Sequence, residues 1–205
     1  MRKRHIYLIA ALMPAFSYLA FKPTKPNNKT NYDNFSISAV KSELAFNEQN
    51  VFDPLTLDEQ REVQSALSQN YTFLGAGGQC FAFTSDDGNY VLKLLKFKRR
   101  NPPFYASYPM PSFLRDSIDR AISTKKEKIE RDFNSYRIAT KDLKDSTGLL
   151  FCHLNKTKNL SKEVHVFDKE QREYKIQLDD FEFLLQKKVV LVEKQIEEFM
   201  NNGEI

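Results

Sequence analysis

A glycine-rich turn between two short apolar segments constrains the fold of this chain more than any other feature. The run from Leu74 to Phe83, Leu-Gly-Ala-Gly-Gly-Gln-Cys-Phe-Ala-Phe, places Gly75 and Gly77 between two segments of strand-like composition. A tight-turn signal, Asp-Asp-Gly-Asn at 86–89, comes next, and a third apolar segment carries Lys93 among hydrophobic residues. This order predicts three consecutive antiparallel strands joined by short turns, with a lysine on the third strand.

The remaining patterns predict further strands and one long helix. Thr56 and Glu59 form a capping-box signature at the start of a first helix, and apolar residues at three- and four-residue spacing predict a long helix from Ser112 to about Leu143. The other expected elements are a strand over 149–154, a hairpin of 164–167 and 174–178, an apolar run over 181–185 and a final helix over 189–200. We therefore expect an α+β fold, in which a small twisted antiparallel sheet of about five strands plus a hairpin packs with one long helix.

Composition is that of a globular protein and argues against several classes of function. The 205 residues are 41% hydrophobic and 28% charged, which suits one domain with a tail. The net charge of +4 comes without a dense basic stripe, so we expect no nucleic-acid partner. Two cysteines, Cys80 and Cys152, and three histidines without paired spacing predict neither a disulfide framework nor a metal site.

The amino-terminal segment has the pattern of a membrane-targeting sequence. Arg2, Lys3 and Arg4 precede Ile6–Phe21, which contains no charged residue, and Lys22 and Pro23 follow. This pattern predicts a signal anchor or a cleaved signal peptide over residues 1–21, with a buried globular helix as the third interpretation. A flexible linker is expected over 22–50 and the folded region over 51–205, on the non-cytoplasmic side, so that the protein is single-pass membrane-bound or secreted.

From the glycine turn to the lysine strand, the chain resembles the amino-terminal lobe of a protein kinase. A second resemblance, to a little-characterised kinase-like family of chlamydia-type intracellular bacteria, covers Leu57 to about Lys188. It is carried by short motifs at 69–74, 86–93, 135–139, 147–149 and 183–186. Cys80 departs from the kinase pattern where a third glycine is usual, and Val91 departs where an alanine is usual.

The kinase resemblance implies a nucleotide site and a role for each of its residues. Gly75 and Gly77 would let backbone N–H groups approach phosphate oxygens, and Phe81 would close over them. Lys93 would contact the phosphates, held by Glu130 on the long helix, with Glu127 as the alternative. ATP is then the expected cofactor, with Ala82 and Val91 lining the adenine. No catalytic residue and no metal ligand is expected.

The resemblance also implies a limit on activity. Phosphoryl transfer needs an aspartate that orients the acceptor hydroxyl, and an Asn and an Asp that hold magnesium, all from a second lobe. The strand at 183–186 would lead into the hinge between the lobes, and the chain has no such motif after it. Asp180-Phe181-Glu182 is interpreted as a turn into a strand.

Three interpretations of function follow. The first is a membrane-anchored, degenerate or truncated kinase-like lobe (a pseudokinase) with weak nucleotide binding and no phosphoryl transfer on its own. The second is a non-catalytic protein-interaction module of the bacterial envelope, or a fragment of a secreted effector, that docks a protein partner. The third is a split kinase whose second lobe is encoded separately.

Overall fold

The structure, a computed structural model, describes residues 34–102, 106, 108–109 and 111–189 of the chain. Its helices are α1 (Ile37–Val40), α2 (Leu57–Ala66), α3 (Ser112–Asp142) and α4 (Lys144–Thr147). Its strands are β1 (Tyr71–Ala76), β2 (Cys80–Ser85), β3 (Tyr90–Leu95), β4 (Leu149–His153), β5 (Glu163–Phe167), β6 (Glu173–Gln177) and β7 (Phe183–Lys187). The expected anchor over 1–21 and nearly all of the expected final helix lie outside the described residues.

All seven strands belong to one sheet, and that sheet is mixed. The strand order is β4-β7-β3-β2-β1-β5-β6, and β5 pairs with β1 in parallel through Tyr71 with Val166 and Thr72 with Phe167. The expectation of a purely antiparallel sheet with a separate hairpin was therefore wrong in this detail. The hairpin of β5 and β6 thereby extends the sheet beyond the start of β1, whose outer backbone groups pair with β5.

The two faces of the sheet pack against different helices. One face carries alternate residues of β2 and β3, such as Phe81, Phe83 and Leu92, which pack with Val63 and Ala66 of α2. The opposite face carries the remaining alternate residues and packs against the long helix. Its apolar cluster contains Leu95, Phe97, Ile129, Phe133, Leu149, Cys152, Leu154 and Leu184. The sheet is thus a central layer with a helix on each side.

The folded region begins before Val51 and includes part of the range expected as a linker. Phe35 and Val40 are buried in the core, and Val40 is fully enclosed. The Phe35 ring makes edge-to-face contacts with Phe81, Phe83 and Tyr174. Because this segment contains only two short helical turns, Ile37–Val40 and Glu48–Asn50, its burial depends on tertiary contacts that a sequence pattern does not reveal.

Local signals explain where α2 and α3 form. The Thr56 hydroxyl accepts a hydrogen bond from the Glu59 backbone N–H, and the Glu59 carboxylate accepts one from the Thr56 N–H, which completes the capping box. Helix α3 has 31 residues and turns Ile129 and Phe133 toward the sheet. Within the described part of the chain, no helix combines the length and the apolar character needed to cross a bilayer.

Candidate functional site at the glycine turn

Strand pairing brings the glycine strand and the lysine strand into one row across the sheet. Gly75 pairs with Ala82, and Ala82 pairs with Lys93. Lys93 in turn pairs with Leu184. Residues directly opposite each other on adjacent strands point to the same face, so Gly75, Ala82 and Lys93 share the face that packs against α3. Gly75 and Lys93 are two strands apart, which corresponds to about 10 Å between their backbones.

The turn between β1 and β2 is held on the side of Gly77. The Gly77 N–H donates to the Cys80 carbonyl over 2.9 Å, and the Lys96 ammonium donates to the Gly77 carbonyl over 2.7 Å. The Lys96 backbone N–H also donates to the Gln79 carbonyl at 2.8 Å. These bonds fix the carbonyls of the turn onto the end of the lysine strand.

Other atoms of the turn are open. The backbone N–H groups of Gly78 and Gln79 donate to no acceptor among the residues that the structure describes. A Cβ atom built on Gly75 or Gly78 would meet no atom within 4 Å. Steric crowding therefore does not require glycine at these two positions, and the space above them is free for a ligand. Free N–H groups on a turn are the feature that binds anions.

Lys93 is a half-buried cation without a protein partner among the described residues. Its side chain makes no hydrogen bond or ion pair there, although its neighbours on the sheet are the apolar Ala82 and Leu184. Burial raises the pKa of the Cys80 thiol, while the charges of Lys93, Lys96 and Arg100 act in the opposite direction. Three cations therefore surround the start of β2.

The expected ion pair between Lys93 and Glu130 does not form in this structure. Glu130 is half-exposed and pairs instead with Arg137 on the same helix. Glu127, the alternative, accepts a hydrogen bond from the hydroxyl of Ser123. The reason is the phase of α3: with Ile129 and Phe133 turned toward the sheet, Glu130 is rotated about 100° away from Ile129.

A different ion pair joins the lysine strand to the long helix. Arg100, just after β3, binds the Asp132 carboxylate of α3 over 2.7 Å, and both side chains are largely buried. The Phe97 ring lies edge-on to Phe133, with ring centres 6.5 Å apart. Sequence reasoning missed Arg100 and Asp132, since Arg100 ends the basic run Lys98-Arg99-Arg100 and such runs are usually solvated. The only available signal was that Asp132 is next to an apolar helix position.

Phe81 lies on the wrong face to close over a ligand beside Lys93. Successive strand residues point to opposite faces, so Phe81 is opposite to Ala82 and is 1% exposed in the core. The Lys96 ammonium lies 4.1 Å from the centre of its ring. Of the five residues expected to bind the cofactor, Gly75 and Lys93 share one row of the sheet and Gly77 lies in the adjoining turn. Phe81 points to the other face, and Glu130 pairs with Arg137.

A separate cleft lies away from the glycine turn. A space of about 440 Å³ between α2, α3 and β4 is lined by Phe52, Leu149, Arg137 and Lys144, among others. Lys144 there pairs with Glu59, and Arg137 pairs with Glu130. The cleft contains none of the five expected binding residues, and two of its cations are already neutralised by carboxylates.

Among the described residues, Cys152 and His153 do not form a second reactive site. Burial raises the pKa of Cys152 to about 12, which keeps it a neutral thiol. Burial lowers the pKa of His153, whose ring nitrogens contact the Phe181 carbonyl and the Thr157 hydroxyl. Among the described residues, no three His, Cys, Asp or Glu side chains come together as a metal site would require.

Comparison with known proteins gives no relative for this chain. No family model matches it, and neither the curated proteins nor the solved structures contain a match.

Proposed function

We propose that the protein is a kinase-like amino-terminal lobe that binds the phosphates of a nucleotide weakly, at the glycine turn and Lys93, and is held at a membrane by its amino-terminal segment. The proposal covers binding and not phosphoryl transfer. Transfer requires an aspartate for the acceptor hydroxyl and oxygen ligands for magnesium, and the described residues bring no such set beside Lys93.

The unpaired Lys93 is the observation that carries the proposal. A half-buried ammonium with apolar neighbours loses part of its hydration, so an anionic ligand would stabilise it. Gly75 lies in the same row with open space above it, and the N–H groups of Gly78 and Gln79 have no acceptor among the described residues. The order of elements gives further support: glycine turn, lysine strand, long helix and then the remaining strands, as in a kinase lobe.

An interaction module is the second candidate. Leu74, next to the glycine turn, is 52% exposed, and exposed apolar side chains favour contact with another protein when they form part of a larger patch. In that case the glycine turn has only a structural role, and the same surface binds a protein partner. A measurement of nucleotide binding distinguishes the two proposed functions.

The test is calorimetric titration of the full chain with ATP, with and without magnesium. We expect weak binding by the wild-type protein and a loss of about tenfold or more in Lys93→Met, because a hydrogen bond to a charged group contributes about 1.5–3 kcal/mol. Lys175→Met is the matched control, since Lys175 is an exposed strand lysine on β6, four strands away from Lys93 in the sheet. No binding by a folded wild-type protein would reject the nucleotide site and favour the interaction module.

A further inference from the structure

One side chain of the long helix reaches the glycine turn directly. The Tyr136 hydroxyl donates to the Gln79 side-chain carbonyl over 2.9 Å, across 57 positions in sequence. The Tyr136 ring packs against the apolar cluster of Ile129, Phe133 and Leu184, so the hydroxyl is attached to a well-anchored group. Gln79 itself is exposed, on the turn between β1 and β2.

This bond completes a chain of contacts from α3 to the atoms of the turn. The backbone carbonyl of Gln79 accepts a hydrogen bond from the Lys96 backbone N–H, and the Lys96 ammonium donates to the Gly77 carbonyl. Arg100, in the loop that follows the same strand, binds Asp132 of α3. Any shift of α3 along the sheet therefore moves the group that holds Gln79, and with it the orientation of the free N–H groups at Gly78 and Gln79.

The bond persists across the whole physiological pH range. Burial raises the pKa of Tyr136 to about 12, so its hydroxyl remains protonated and able to donate. The acceptor on Gln79 is an uncharged amide. The contact therefore responds to the position of α3 and not to protonation.

We propose that the hydrogen bond from Tyr136 to Gln79 couples the position of α3 to the conformation of the glycine turn, and that it thereby regulates the affinity of the turn for anions. Tyr136 and Gln79 are positioning residues in this scheme. Their side chains act through the turn, and the ligand is contacted by the backbone N–H groups of the turn. The effect on affinity rests on the proposed function, whereas the coupling between helix and turn does not.

The first experiment measures the turn without any ligand. Amide hydrogen exchange of the full chain is followed at Gly77 and Lys96, whose N–H groups are bonded to the Cys80 and Gln79 carbonyls. We expect Tyr136→Phe and Gln79→Ala each to speed this exchange about fivefold, the size expected for one hydrogen bond. The double variant should behave as either single variant does, because all three lack the same bond.

Two further variants distinguish coupling from a general loss of stability. Tyr71→Phe removes a different tyrosine hydroxyl bond, a buried one to the Ala66 carbonyl at 3.0 Å on the opposite face of the sheet, and should leave exchange at Gly77 and Lys96 unchanged. Gln79→Glu keeps a side-chain oxygen that can accept from Tyr136, so exchange should stay at the wild-type rate. Gln79 is exposed on a turn, which makes its variants suitable even if Tyr136→Phe folds poorly.

The second experiment measures ATP affinity of the same proteins by calorimetry. Weaker binding by Tyr136→Phe and Gln79→Ala, without further loss in the double variant, would support the regulation of affinity. If the wild-type protein binds no ATP but amide exchange is still faster in the two single variants, the nucleotide proposal fails and the coupling remains. Unchanged exchange in both single variants, or effects that add in the double variant, would overturn the coupling even where ATP binds.

Discussion

Among single residues, Phe35 makes an unusually dense set of aromatic contacts. Its ring centre lies 5.3 Å from Phe81, 5.1 Å from Phe83 and 5.0 Å from Tyr174, each time edge-to-face. The side chain is 4% exposed. Edge-to-face pairs contribute beyond their buried area, so this residue attaches the 34–50 segment to the sheet.

We expect Phe35→Ala to lower the free energy of unfolding by about 3–5 kcal/mol, because it leaves a cavity among aromatic rings. Urea unfolding measures the change. Phe46→Ala is the matched control: Phe46 lies in the same segment but is 62% exposed, so its truncation should change stability by about 0.5 kcal/mol or less. Equal effects of the two substitutions would mean that Phe35 is not part of the core.

At the scale of elements, the contact between α3 and the lysine strand depends on the pair of Arg100 and Asp132. Both side chains are largely buried, at 18% and 10% exposure. Removing one partner leaves the other as an uncompensated charge, whereas replacing both with apolar residues avoids that cost.

We therefore expect Asp132→Ala to lower the free energy of unfolding by about 3 kcal/mol, and the double variant Arg100→Met with Asp132→Leu to recover most of it. Glu130→Ala should cost less than about 1 kcal/mol, since Glu130 is half-exposed. Urea unfolding of these variants gives the comparison. A larger effect of Glu130→Ala than of Asp132→Ala would indicate that Glu130, as the sequence suggested, is the carboxylate that matters.

The elements themselves were largely predictable from sequence, and their partners were not. Turn signals such as Asp86–Asn89 and the apolar spacing of α3 gave the strands and the helix, because these are local properties of the backbone. The parallel pairing of β1 with β5 is a choice among possible neighbours, and no residue of β5 specifies it locally. At the site, the alternation of side chains along β2 would have indicated that Phe81 points to the face of the sheet opposite to that of Lys93. Glu130 and Asp132 are both carboxylates of α3 and differ only in their angle around the helix axis.

The molecule as a whole should lose stability in acid. A hydrogen bond from Lys144 holds the pKa of Glu59 at about 2, well below its ordinary 4.5, and joins α2 to α4. A group with a lowered pKa stabilises the fold above its unfolded value, and that contribution disappears as pH falls through the folded value. Burial lowers the pKa of His153, so the protein loses further stability as the pH falls below about 6.5, the ordinary pKa of histidine.

We expect Glu59→Gln to be less stable than the wild type at neutral pH, with the difference narrowing between about pH 4.5 and about pH 2. Urea midpoints measured across this range would show the convergence. Glu48→Gln, which changes an exposed glutamate on the turn before Val51, should follow the wild type throughout. A constant difference between Glu59→Gln and the wild type at all pH values would contradict the assigned ion pair.

The hairpin of β5 and β6 has a consequence for the behaviour of the protein in concentrated solution. Because β5 occupies the outer side of β1, the sheet ends on that side at β6, where Glu173, Lys175 and Gln177 are exposed. A second molecule that tried to extend the sheet there would have to bring its own strand against two charged side chains. The hairpin thus shields the start of β1, at Tyr71 and Thr72, from edge-to-edge polymerisation and leaves the glycine turn accessible to small ligands.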